Sequence, residues 1–178
     1  MNRSVVIVLA GLALALAGCS DGREATAQPS AERGQYLVTQ GLCTDCHTPG
    51  FFLGMPDMAR YLGGSDVGFE VPGLGVFVGR NLTPDRETGL GDWTAEQIVT
   101  ALQTGMRPDG RVLAPIMPWR AFANLTPSDA MSIAMFLKSL PVVSHRVPGP
   151  FGPNETPTTF VMKVVPPAGA PAPAAPVP

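Results

Sequence analysis

The 178-residue sequence is short of charge, histidine and lysine. Charged residues make up 15% of it, against the quarter that is usual for soluble domains, and only two of them are Lys. No run of like charge and no basic patch occurs, which argues against a nucleic-acid partner. Two His and three Cys are a very small stock of catalytic and metal-binding groups, so such chemistry has few places to sit. Long amphipathic periods are also scarce. Gly and Pro, at 20 each, together exceed a fifth of the chain and exclude a long-helix bundle. A small core wrapped in loops remains.

The N-terminus carries the one long apolar run. Arg3 precedes 13 uncharged, mostly aliphatic residues from Val5 to Ala17, and Leu16-Ala17-Gly18-Cys19 follows. A positive start, a short apolar stretch and small residues at a cleavage point describe an export signal. The stretch is short for a bilayer span. Its ending resembles the lipobox of bacterial lipoproteins, which implies cleavage before Cys19, lipid on Cys19 and anchorage on the periplasmic side of a bacterial membrane. An ordinary signal peptide cleaved nearby is the alternative. Residues 1–18 are thus expected to be the signal and 19–30 a tether.

Helical signals are clear at three places. Ser30 can cap a helix from about Ala31 to Gln40, ended by Gly41. Thr94-Ala95-Glu96-Gln97 is a capping box ahead of Ile98, Val99 and Leu102, and Gly105 stops that helix. Thr126-Pro127-Ser128-Asp129 starts a third, with Ala130, Ile133, Ala134, Leu137 and Leu140 on one face and Pro141 at its end. Residues 49–92 are Gly-punctuated, and Val71 to Val78 is expected to be a short extended pair. Residues 31–145 are read as the domain, 146–165 as an extended wrap, and 166–178, with six Pro and five Ala, as a disordered tail.

Cys43-Thr44-Asp45-Cys46-His47 carries the chemistry. Two Cys three apart with His directly after read as a c-type haem attachment site, in which each thiol bonds one vinyl group and the imidazole is delivered to the iron. A disulfide or a thiol-exchange pair is the alternative. The latter needs an alternating strand and helix context that is absent here. Zinc would need further ligands, and only His145 remains beyond the motif. His145, directly after the third helix, is read as a surface residue.

The second axial position has Met55, Met58, Met106, Met117, Met131, Met135, Met162 and His145 to draw on. Met131 and Met135 fall in a helix, where Met is usually filler. Met117 lies in Ala114-Pro115-Ile116-Met117-Pro118-Trp119, an apolar loop stiffened by proline on both sides, and is the expected ligand. Met106 comes second.

These segments resemble class I single-haem c-type cytochromes, in particular the cytochrome subunits and partners of bacterial periplasmic dehydrogenases. The resemblance runs from about Ala31 to Pro167. It rests on Gly34-Gln35-Tyr36-Leu37, Cys43 to His47, Asn81-Leu82-Thr83-Pro84-Asp85 with Thr88-Gly89-Leu90-Gly91, Arg107-Pro108-Asp109-Gly110, Met117-Pro118-Trp119 and the last helix. It implies an all-α fold of about three to five helices around one covalent haem c. It implies that Cys43 and Cys46 are thioether anchors, that His47 and Met117 are axial ligands, and that Gly34 packs on the last helix near Ile133, Phe136 and Leu137. Asn81 would lie near the haem, bonding a propionate or backbone; a plain turn role is the alternative. Trp119 would cover a haem edge or simply pack. No Gly-Pro pair follows His47 at the class I place, so the acceptor for its ring N–H is sought around Pro49 and Gly50. Residues 55–80 are longer than the minimal loop. The implied role is an electron carrier, not an enzyme, serving redox protein partners such as a dehydrogenase, an oxidase or another cytochrome. An open-site haem enzyme or sensor is the rival reading, and a structural lipoprotein with a Cys43–Cys46 disulfide is a third.

Overall fold

A computed structural model describes residues 28–171. The export signal, Cys19 and most of the expected tether lie outside the described residues, as do residues 172–178 of the expected tail. Among the described residues no helix is long and apolar enough to cross a membrane.

The three long helices form where the sequence places them. Helix α1 spans Ala31–Gln40, with the Ser30 hydroxyl accepting from the Arg33 amide. Two short helices surround the chemistry: α2 is Cys43–His47 and α4 is Trp119–Phe122. Between them, α3 spans Ala95–Thr104 behind a complete Thr94–Gln97 capping box and ends at Gly105 in the left-handed region. Helix α5, Pro127–Ser139, has Thr126 as cap and proline in its first turn.

Helix α1 lies directly on α5. A Cβ on Gly34 would stand 1.9 Å from the Ser132 carbonyl oxygen and 2.7 Å from the Phe136 Cβ, so only glycine permits that approach. The core is one apolar cluster, with Val38, Leu62, Ile98, Leu102, Ile133, Ala134 and Leu137 at its centre.

The fold is not all-α. Strand β1 (Val67–Val71) pairs antiparallel with β2 (Gly75–Val78), Phe69 opposite Phe77, and β3 (Phe160–Met162) adds parallel to β1 in the order β2-β1-β3. The expected extended pair at 71–78 therefore begins earlier, and residues 72–74, with Gly73 at φ 75°, are its turn rather than part of a strand. Within the segment read as an extended wrap, Phe160–Met162 is the strand β3. Further along, residues 163–171 are exposed and form no helix or strand.

This sheet explains the long 55–80 segment. Phe52, in the 3₁₀ turn Phe51–Leu53 that follows α2, meets Phe69 of β1 edge-on at 5.3 Å. Strand β2 then runs straight into Gly79 and Arg80 against the attachment helix. The sheet is a rigid arm that brings backbone to His47.

A second brace is Lys138 on α5. Its ammonium donates to the carbonyls of Leu90, Gly91 and Trp93 at 3.1, 2.8 and 2.9 Å, pinning the loop that leads into α3.

Candidate functional site

Helix α2 starts from Leu42, held at φ 55°, and is closed by the Thr48 amide on the Thr44 carbonyl. One turn of helix puts Cys43 and Cys46 on the same side, three residues apart. Both are free thiols and both are half-buried. Burial pushes the Cys43 thiol up to about 11, and burial with the neighbouring Asp45 charge raises Cys46. Thiol-exchange sites depend on the opposite shift.

His47 is buried, and backbone groups bond to its ring and its carbonyl. The ring Nδ1 lies 2.6 Å from the Arg80 carbonyl oxygen. The Gly64 amide donates to the His47 carbonyl at 2.8 Å, and the Ser65 amide to the Gly79 carbonyl at 2.9 Å. Beneath, fully buried Thr48 accepts from the Leu62 amide at 3.0 Å. Burial lowers the His47 pKa, against the smaller opposing effect of the Arg80 carbonyl. The imidazole is thus neutral at pH 7, with Nδ1 carrying the proton and Nε2 left with a lone pair. That is the form in which histidine binds iron, oriented by a carbonyl behind it. The acceptor is Arg80, not the Pro49–Gly50 region; the Gly50 amide instead donates to Asp66 at 3.0 Å.

Cys43 packs against the central apolar cluster, and so does Met117. Of the methionines among the described residues, Met55, Met58, Met106, Met135 and Met162 are exposed, whereas Met117 and Met131 are half-buried on the core. Met131 is part of α5. Met117 is the half-buried methionine carried on a loop, held by its amide on the Ala114 carbonyl at 2.9 Å and by the Trp119 amide on its own carbonyl at 2.8 Å.

Trp119 follows at the start of α4. Gly105 lies under its ring, where a Cβ would come within 2.7 Å, and the Arg120 guanidinium sits 4.4 Å above the ring centroid. Those contacts account for its packing.

Asn81 is 1% exposed and its amide is fully occupied by protein. Its Nδ2 donates to Thr88 Oγ1 at 2.9 Å and to the Val143 carbonyl at 2.6 Å; its Oδ1 accepts from the Thr83 amide at 2.9 Å and the Thr83 hydroxyl at 2.7 Å. The amide thus bonds within the protein, to backbone groups and to the Thr83 and Thr88 hydroxyls. Truncation to Ala would strand several of these buried groups. Asn81→Ala should therefore lower unfolding stability by about 2–3 kcal/mol, read by denaturant titration.

His145, read as a surface residue, is half-buried and hydrogen-bonded. Its ring Nδ1 contacts the Gly63 carbonyl oxygen at 2.8 Å and its amide donates to Thr88 at 3.1 Å, tying the segment after α5 to the loops around Asn81. Sequence reasoning missed Gly79 and Arg80 entirely. The available signal was a Val-Phe-Val strand ending in Gly-Arg one residue before Asn81, but nothing local says which ring that carbonyl receives.

The residues present fit a covalently attached haem. Two same-side thiols can make the thioether bonds, a neutral imidazole offers Nε2, and Cys43 packs against the apolar cluster. Among the described residues no group of three or more His, Cys, Asp or Glu is placed to hold a bare metal ion.

Relatives of known role point the same way. The chain is 30% identical over 155 residues to the fructose dehydrogenase cytochrome subunit of Gluconobacter japonicus, which covers 83% of this chain and 30% of that one. It is 35% identical over 105 residues to the cytochrome c subunit of the quinone alcohol dehydrogenase of Gluconobacter oxydans, covering 59% and 20%. It is 35% identical over 142 residues to a diheme c-type cytochrome of Cereibacter sphaeroides, covering 77% and 44%. The chain thus spans less than half the length of these relatives. No family model matches it. In sequence and in its Cys43–His47 turn, the chain is a homologue of the cytochrome c subunits of bacterial dehydrogenases.

Proposed function

We propose that this chain is a periplasmic electron-transfer protein with one covalent haem c, bound by Cys43 and Cys46 and ligated by His47 and Met117. It would pass single electrons from a dehydrogenase to a downstream acceptor of a respiratory chain, held at the membrane by lipid on Cys19. The observation that carries the reading is the buried His47 ring, turned by the Arg80 carbonyl beside two free thiols.

Haem, when bound, supplies a one-electron couple; the protein's task is to hold it and set its potential. The Arg80 carbonyl fixes the imidazole tautomer and makes Nε2 a better donor. Met117, on a proline-stiffened loop, offers a thioether, which favours the reduced state relative to a second imidazole. Apolar surroundings act in the same direction, because they disfavour the additional positive charge of the oxidised centre. One Cys-x-x-Cys-His motif in the chain supports one haem per molecule.

The test is a visible absorption series on the exported protein, oxidised and then reduced, with haem content measured after denaturation. One covalent haem per chain, low-spin in both states and with the weak far-red band of methionine-ligated ferric iron, is the expected result. A high-spin, ligand-accessible iron would favour the open-site enzyme or sensor instead. Absence of covalent haem would overturn the reading.

A further inference from the structure

The extended segment 143–151, between α5 and β3, is bonded to both of the backbone stretches that hold His47. The His145 ring lies 2.8 Å from the Gly63 carbonyl oxygen, one residue before the Gly64 amide that donates to the His47 carbonyl. Val147 is 5% exposed, and its side chain packs so closely on Gly64 that a Cβ there would stand 2.2 Å from the Val147 Cγ2. Phe151 then exchanges two backbone hydrogen bonds with Val76 of β2, each at 2.9 Å. Strand β2 is the one that leads into Gly79 and Arg80.

The peptide between Arg80 and Asn81 supplies the oxygen that meets the His47 Nδ1 at 2.6 Å. Both residues flanking that peptide are tied to the same segment. On one side, Asn81 Nδ2 donates to the Val143 carbonyl at 2.6 Å. On the other, Arg80 Nη1 donates to the Val147 carbonyl at 2.6 Å and Nη2 to the Gly149 carbonyl. Arg80 therefore touches the imidazole with its backbone and the segment with its side chain. Two carbonyls two residues apart suit the fixed fork of a guanidinium, whereas an ammonium is a point donor without that geometry. A peptide held from both ends cannot turn its oxygen away from the ring without breaking one of these bonds.

We propose that segment 143–151 is the element that positions His47, and that Arg80, through its guanidinium, is the positioning residue that locks the 80–81 peptide behind the ring. This rests on the haem-bearing reading above. A carbonyl held firmly on Nδ1–H makes Nε2 a stronger donor, which favours the oxidised iron; a carbonyl free to swing relaxes that bias. The tuning of the ligand is then fixed by a side-chain contact 67 residues further along the chain.

The test compares the full-length exported protein with Arg80→Lys, Arg80→Met and Val147→Ala. Haem content comes first, then solvent exchange of the His47 Nδ1–H proton, read by NMR in the reduced state, and an equilibrium redox titration. Arg80→Lys keeps the charge and loses the two-carbonyl fork. It should speed the exchange about fivefold and raise the reduction equilibrium constant about threefold to tenfold, the factor of one net hydrogen bond, with the low-spin spectrum kept. Arg80→Met should speed the exchange equally but raise that constant less, because the lost positive charge acts in the opposite direction. Val147→Ala leaves Arg80 in place and loosens the seat of the segment on Gly64. It should speed the exchange in the same direction, and it decides the matter if the Arg80 variants do not fold. Haem-loaded Arg80→Lys or Val147→Ala with a lower melting temperature but unaltered exchange and potential would reduce these contacts to plain structure. That result overturns the positioning role and leaves the electron-transfer reading standing. A changed potential in Arg80→Met with unaltered exchange would make Arg80 a charge alone and also overturns the role. Absence of haem in the unsubstituted protein overturns both readings.

Discussion

Met117→Ala is expected to convert a low-spin spectrum to a high-spin one, abolish the far-red ferric band and lower the midpoint potential by on the order of 0.1 V, since axial ligands set haem potentials over a range of about 0.8 V. The expectation follows from where the methionines lie. Five among the described residues are exposed, and Met131 sits in α5 as part of its packed face. Met117 sits half-buried on a loop between Pro115 and Pro118, so its thioether can be presented without unwinding a helix. Truncation also removes some apolar packing, a cost of about 1–2 kcal/mol for a half-buried side chain. That cost would lower the unfolding temperature but would not open the iron to ligands. The two effects separate in one experiment: added imidazole should bind to Met117→Ala and restore a low-spin spectrum. Met106→Ala, at a residue 42% exposed, should leave spectrum and potential unchanged. An unaltered spectrum in Met117→Ala, or a high-spin one in Met106→Ala, would transfer the ligand role elsewhere.

Much of this fold could be read locally. Ser30, Thr94 and Thr126 each cap the helix that their neighbours predict, and Gly105 and Pro141 stop two of them where expected. Caps and stops depend on residues within a turn of each other, so sequence shows them. The Cys43–His47 turn is legible for the same reason. The sheet was not. Strand β3 is three residues long and pairs with β1 across roughly ninety residues of chain, and nothing within Phe160–Met162 announces that partner. Gly73 sits at the turn of β1 and β2, and a Gly-rich stretch gives no period by which to place it. The Arg80 carbonyl is a backbone group, identical in every residue, and its importance comes only from where β2 delivers it. Asn81 is instructive in another way. Its residue type suits a ligand contact and a structural knot equally, and only the bonding of all its amide positions shows the knot.

The delivery of that carbonyl depends on Gly79, and Gly79→Ala should be the most damaging glycine-to-alanine change among the described residues. An added Cβ would stand 1.7 Å from the Cys46 carbonyl oxygen and 3.4 Å from the His47 Nδ1. Neither neighbour is a flexible tip that can swing aside. Cys46 belongs to a one-turn helix closed by Thr48, and Gly79 is held by the Ser65 amide on its own carbonyl. Relief requires β2 to withdraw from α2, which pulls the Arg80 carbonyl off the His47 ring. We expect a loss of at least about 3 kcal/mol, toward the upper end for overpacking. That is about 10 °C in unfolding temperature for a domain of this size. We also expect a lower yield of covalently attached haem, because His47 would lose its orientation before the thioethers form. Gly54→Ala is the control. Gly54 is at φ 78° with nothing within 4 Å of its Cβ position, so alanine there meets backbone strain but no clash, at a cost of about 1 kcal/mol. If Gly79→Ala melts within a few degrees of Gly54→Ala and carries a full complement of haem, then the close approach of β2 to α2 is not what orients His47. A large loss in the first variant and a small one in the second would show that the sheet exists in this fold to hold one carbonyl behind one imidazole.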